Sequence, residues 1–130
     1  GGPGANTNGN NNRGAVYVFR PSGSSWFQDA KLTADDGAID DRFGSSVVIY
    51  GDHIIVGAAG DNVSIHDDQG AAYIFTQHGS WKQHRKIANP AGRESAGFGI
   101  SIAIHNNRFV IGEPSYYDIG YCLASFGFIN

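Results

Sequence analysis

Cysteine occurs once in the 130 residues, methionine not at all and proline four times. A single thiol, Cys122, excludes an intrachain disulfide and with it a disulfide-stapled scaffold. With no methionine even at position 1, the sequence is expected to start downstream of an initiator. Charge is sparse too, at 16% of residues against about 25% in ordinary domains. The net charge is −3, and no run of Lys or Arg is large enough to cover a face. Nucleic acid and anionic membrane surfaces are therefore not expected as partners. No apolar run approaches the ~18–20 residues of a membrane span, and no signal peptide is recognisable.

What is abundant points to one fold class. There are 19 glycines, without the period of collagen. Hydrophobic residues make up 41% and aromatics 12%, well spread along the chain. Many glycines among many aromatics indicate an all-β protein with tight turns, not a disordered chain.

The chain repeats itself. Gly14-Ala15-Val16-Tyr17-Val18-Phe19 returns as Gly70-Ala71-Ala72-Tyr73-Ile74-Phe75. Trp26 returns as Trp81, Lys31-Leu32 as Lys86-Ile87, Phe43-Gly44 as Phe98-Gly99, and Val56-Gly57 as Ile111-Gly112. The landmarks keep one order at an offset of about 55 residues, the signature of tandem structural units.

Each unit reads as four strands. Phe43 to Tyr50 and His53 to Gly57 flank a Gly51-Asp52 turn. Asn106-Asn107 takes that place in the next unit, and all three residue types tolerate the left-handed backbone of a tight hairpin. A polar loop, 60–69, leads to a third strand at 71–75, and Gly79-Ser80 turns into a fourth at 81–87. No segment keeps a 3.6-residue period, so essentially no helix is expected. Four-stranded antiparallel units in tandem indicate propeller blades rather than a sandwich.

The string Asp41-Arg42-Phe43-Gly44-Ser45-Ser46-Val47, followed by Ile55-Val56-Gly57-Ala58-Ala59-Gly60, resembles the Phe-Gly … Gly-Ala-Pro signature of FG-GAP (integrin-like) repeats. The likeness is to the bacterial type, whose units continue through Gly-Ala-x-Tyr-x-Phe and Trp-x-x-x-x-Lys-Leu strands. It covers roughly residues 1–115. The resemblance implies a β-propeller, a secreted or cell-surface location, and a role in adhesion, ligand binding or scaffolding. It also implies a calcium loop between the first two strands of a blade. That place holds Tyr50-Gly51-Asp52-His53 and His105-Asn106-Asn107-Arg108. Calcium needs six to eight oxygen ligands, so no cofactor is expected there.

The repeats are out of phase with the chain. Residues 1–130 form a single propeller segment: 1–32 the end of one blade, 43–87 a complete blade, and 98–130 the start of a third with an irregular tail. In that tail Gly120-Tyr121 and Phe126-Gly127-Phe128 are candidates for a degenerate third strand. Closed propellers hold about four to eight blades, and this chain spans a little over two. Either it is part of a larger propeller or several chains close a ring; self-association is the favoured expectation.

Two polar concentrations are candidate sites. Asp35, Asp36, Asp40 and Asp41 precede Phe43-Gly44 and offer oxygen ligands for a divalent cation such as calcium. The competing reading is turn formation. Asp61, Asn62, His66, Asp67 and Asp68 form a candidate ligand loop, against the simpler reading of a solvated connection. The five histidines lack zinc-site spacing. No Gly-x-Ser-x-Gly elbow accompanies the serines, so no catalytic residue is assigned. Trp26 and Trp81 share one blade position, where blade packing competes with a sugar platform.

The sequence therefore points to a non-enzymatic β-propeller interaction scaffold. Its contacts are expected on the loops at 33–42, 58–69 and 88–97, with a protein or glycan as ligand. The alternatives are a lectin-like propeller with sugars between blades, and an accessory domain of a larger secreted enzyme.

Overall fold

The computed structural model describes residues 13–62, 68–89 and 95–114, and the backbone of Leu123–Phe128. Among these there is no helix. The strands are β1 (Val16–Ser22), β2 (Ser25–Leu32), β3 (Phe43–Tyr50), β4 (His53–Ala58), β5 (Ala71–His78), β6 (Ser80–Ile87), β7 (Ser101–His105), β8 (Arg108–Glu113) and β9 (Leu123–Phe128). They form three sheets in strict chain order: β1-β2, β3-β4-β5-β6 and β7-β8-β9, with every ladder antiparallel. The four-stranded sheet is a whole propeller-type blade, and the shorter sheets are parts of its neighbours.

The turns follow from their residues. Gly51 (φ 55) and Asn106 (φ 54) take the left-handed backbone at equivalent hairpins. β5 and β6 run further than the sequence suggested, because Gly79 (φ 81) reverses the chain so tightly that His78 still pairs with Ser80. A bulge recurs at one repeat position, between Val18 and Phe19 in β1 and between Ile74 and Phe75 in β5.

Successive blades are stitched by backbone. Phe43 N–H donates to the Arg13 carbonyl at 3.1 Å, and Phe98 N–H donates to the Gln69 carbonyl at 2.9 Å. Each stitch sits at a parallel bridge, Gly14 to Phe43 and Gly70 to Phe98. Both glycines have positive φ (83 and 87), and a Cβ on either would overlap the backbone of the facing phenylalanine. The repeated Gly-Ala dipeptide is thus a requirement of the seam between blades.

Two apolar clusters fill the seams. The first joins Val16 and Leu32 to Phe43, Ile54, Val56, Tyr73 and Phe75. The second joins Ile55, Ala72 and Ile74 to Phe98, Phe109 and Ile111. Alternate residues of β4 and β5 serve opposite seams, so these strands are buried on both faces. Where the described residues place no neighbouring blade, the same repeat positions lie open. Tyr73 and Phe75 are 0% and 3% exposed; their counterparts Tyr17 and Phe19 are 39% and 55% exposed. Ile55 is 0% exposed and its counterpart Val110 41%.

Candidate functional site

Antiparallel alternation sends connections to the two ends of a blade in turn. The short hairpins β3–β4 and β5–β6 share one end, where Gln77 N–H donates to the Asp52 carbonyl at 2.9 Å. The long connections β2–β3, β4–β5 and β6–β7 gather at the other. They are tied by Gly60 N–H to the Asp41 carbonyl (3.0 Å) and by Gly97 N–H to the Asp68 carbonyl (3.3 Å). Between them lies a cleft of about 350 Å³ lined by Arg42, Gly60, Asp68, Ser95, Gly97 and Ile100, among others. Arg42 (φ 56), Asp68 (φ 52) and Ser95 (φ 54) hold left-handed backbone in its wall, and Asp40 (φ 66) does so beside it. Such conformations are costly for non-glycine residues and concentrate at functional sites.

Beneath this end is a polar knot in which Tyr73 and Asp61 are buried and Asp36 and Lys86 reach the surface. The Tyr73 hydroxyl donates to a carboxylate oxygen of Asp61 and also reaches Asp36 at 2.8 Å. Lys86 Nζ lies 2.6 Å from Asp36 Oδ2 and 2.9 Å from Asp61 Oδ2, and 5.3 Å from the centre of the Tyr73 ring. Asp41 is buried beside them and accepts the Ala38 amide at 2.5 Å. Burial lifts the Asp41 carboxyl to about 6, with the charges of Asp61 and Asp36 adding to the rise and the Ala38 amide and Lys86 opposing it. For Asp36, burial works upward, but hydrogen bonds from Lys86 and Tyr73 bring it below the usual carboxylate value. Burial and the Asp61 hydrogen bond raise Tyr73. Burial opposes the charge on Lys86, and the two carboxylates more than restore it.

The predicted acidic cluster is therefore divided. Asp36 and Asp61 meet at the Lys86 ammonium, while Asp41 is buried nearby and held to the Ala38 amide. Asp40 is exposed at a turn, and Asp35 is anchored by its own N–H donating to Gln83 Oε1 at 3.0 Å. Among the described residues no group of three or more His, Cys, Asp or Glu side chains is placed to hold a metal. Of the predicted ligand loop, Asp61 is buried in the knot. Asn62 Oδ1 accepts the Asp68 amide at 2.8 Å, and Asp68 lines the cleft. His66 and Asp67 lie outside the described residues.

Sequence reasoning missed Tyr73 and Lys86 as site residues, and placed Arg42 and Ser95 only within the contact loops at 33–42 and 88–97. A signal for the first two was present: Tyr17 with Lys31 returns as Tyr73 with Lys86, at offsets of 56 and 55, and each pair faces across paired strands. It missed a second knot as well, where Gln69 Nε2 donates to the Asn89 carbonyl at 2.7 Å and Asn89 Nδ2 donates to buried Glu113 at 3.0 Å. Both knots pin the loop end across a seam.

Phe43 buried at a stitch, and Gly57 pressed so close to Gly99 that a Cβ would overlap its carbonyl, account for the dipeptides that mark the repeat. Residues 26–75 match the family model of the FG-GAP repeat. This stretch of 50 of the 130 residues is similar to an FG-GAP repeat. The matched stretch runs from β2 through β3 and β4 into β5, so the family's sequence unit is offset from the structural blade. FG-GAP repeats are typically non-catalytic binding domains of the β-propeller type. No curated protein and no solved structure matches the chain significantly.

Proposed function

We propose that this chain is a non-enzymatic interaction scaffold, exported or cell-surface, that binds a protein ligand at its loop end and associates with further copies of itself. The ligand surface is the cleft between the complete blade and the next, and its left-handed Arg42, Asp68 and Ser95 carry the reading. Three connections from two blades hold these residues in conformations that a plain linker would not keep. The polar knots below supply rigidity rather than reactivity, since their carboxylates are occupied by Lys86, Tyr73 and Asn89.

Self-association is supported by the open positions of Tyr17, Phe19 and Val110, whose counterparts are covered inside the chain. Exposed apolar faces of this kind invite a partner. Light scattering at micromolar concentration is expected to give a mass above one chain; a strictly monomeric mass would sink this half of the proposal. For the ligand half, Arg42→Glu is expected to abolish a stoichiometric protein complex that Asp52→Asn, at the opposite end, leaves intact. Equal binding by both variants would reject the cleft.

A glycan reading has one observation in its favour. A second cleft of about 430 Å³ lies between β2 and β6 and combines Trp81 with Lys31, Asp35, Lys82 and Gln83. An aromatic face beside polar groups suits a sugar ring. Binding on a glycan array that Trp81→Ala removes would favour this reading over the protein ligand.

A further inference from the structure

In the complete blade, β5 lies against β4 with Phe75 opposite Ile54, Tyr73 opposite Val56 and Ala71 opposite Ala58. β9 takes the equivalent place against β8, with Gly127 opposite Phe109, Ser125 opposite Ile111 and Leu123 opposite Glu113. The register is that of a third strand, but the residues are not. Glycine and serine stand at the phenylalanine and tyrosine positions. The residue before Leu123 in the sequence is Cys122, where Gly70 precedes Ala71. At Gly14 and at Gly70 a Cβ would overlap the backbone of the following blade, so a strand preceded by cysteine cannot make that stitch.

The chain holds a strand with every missing feature. β1 follows Gly14-Ala15 and carries Tyr17 and Phe19 in the required order. Among the described residues β1 pairs along its length with β2 alone, and its other edge faces no strand. A bare edge bearing exposed aromatics is a template for pairing.

We infer that β9 covers the edge of β8 as a substitute, and that the strand this edge is built for is β1 of a second copy of the chain. The inference rests on the self-association reading and specifies its geometry. β7 and β8 of one copy and β1 and β2 of the next make one four-stranded blade, with Val18 opposite Val110, Tyr17 opposite Ile111, Phe19 opposite Phe109 and Val16 opposite Gly112. Tyr17 and Phe19 then face the seam that Phe109 and Ile111 already line.

The same docking completes a second contact. Within the chain, Ser46 Oγ donates to the Gly99 carbonyl at 2.6 Å across a seam, and Gly57 lies against Gly99. Ser101 and Gly112 are the repeat counterparts of Ser46 and Gly57. The nearest atoms around a Cβ on Gly112 all belong to Ser101 of its own blade. Gly44 (φ 95) has the backbone conformation of Gly99 (φ 93). Docked head to tail, Ser101 and Gly112 of one copy meet Gly44 of the next.

The test is a register-specific cross-link. The full chain with Cys122→Ala, Val18→Cys and Val110→Cys is oxidised and run without reductant. Paired strands bring opposing Cα atoms within disulfide range, while a two-residue shift leaves them about 7–8 Å apart. Covalent multimers are expected for this variant and a several-fold lower yield for Val16→Cys with Val110→Cys. Light scattering of the parent chain is read in parallel. A multimeric mass with no cross-link, or equal cross-linking in both variants, overturns the strand pairing and leaves self-association standing. A monomeric mass with no cross-link overturns both.

Discussion

Asp41 is the residue whose chemistry differs most from its sequence appearance. As one of four aspartates in a loop it looks like a solvated turn former, yet it is buried within electrostatic reach of Asp61, Lys86 and Asp36. Its carboxyl titrates at about 6 in the folded chain against an ordinary 3.8. A pKa raised by folding means that the native state binds the proton more tightly. The resulting stability is fully present below about 3.8 and is lost as pH climbs through 6. The unfolding free energy from urea titration is therefore expected to fall between pH 4 and pH 7, by up to roughly 2–3 kcal/mol. Asp41→Asn is expected to flatten that slope, and a slope unchanged in the variant would count against the assignment. Asp36, whose pKa is lowered, acts in the opposite sense and only in more acid solution. Lys86 is the second test. Lys86→Met leaves Asp61 buried without its cation, which is expected to destabilise the chain by about 3–5 kcal/mol in urea unfolding at neutral pH. Lys31→Met, whose ammonium lies 5.8 Å from the Tyr17 ring centre on the exposed first sheet, is expected to cost less than about 1 kcal/mol.

At the scale of elements, strands and turns were legible because their signals are local. Gly51-Asp52 and Asn106-Asn107 specify hairpins by backbone preference alone, and the strands between turns needed only alternation and length. The polar knot was only partly legible: the Tyr73–Lys86 pair recurs across its two strands, but Asp36 and Asp61 come from two loops and reach that pair only once the sheet is built. The left-handed Arg42 and Ser95 gave no sign either, since neither residue type favours that conformation and only tertiary contacts impose it. The glycines lie between these cases. Their recurrence was visible, but the reason appears only at the seams. That reason separates two substitutions of one kind. Gly23→Ala (φ 62) meets nothing within 4 Å and is expected to cost about 1 kcal/mol for its backbone conformation. Gly70→Ala adds a collision with the Phe98 backbone to a similar conformational penalty, and is expected to cost about 3 kcal/mol or more. Equal midpoints for the two variants would show that the seam yields easily.

For the whole molecule, β4 and β8 make the comparison that matters. They occupy one repeat position, yet β4 is buried on both faces and β8 alternates between buried and exposed. Among the described residues a further blade stands beside both faces of β4 but beside one face of β8. A variant at each strand therefore reports whether solution supplies the missing blade. Ile55→Ala removes a side chain enclosed in the second cluster and is expected to cost about 2–4 kcal/mol at any protein concentration. Val110→Ala removes a half-exposed side chain, so in the isolated chain it is expected to cost about 0.5 kcal/mol or less. If copies associate through this face, that cost grows with protein concentration, because only the associated state buries Val110. Thermal melts of both variants from submicromolar to high micromolar concentration make the check. A gap between Val110→Ala and the parent that widens with concentration is the expected result, while a constant gap would leave β8 facing water in solution as it does here.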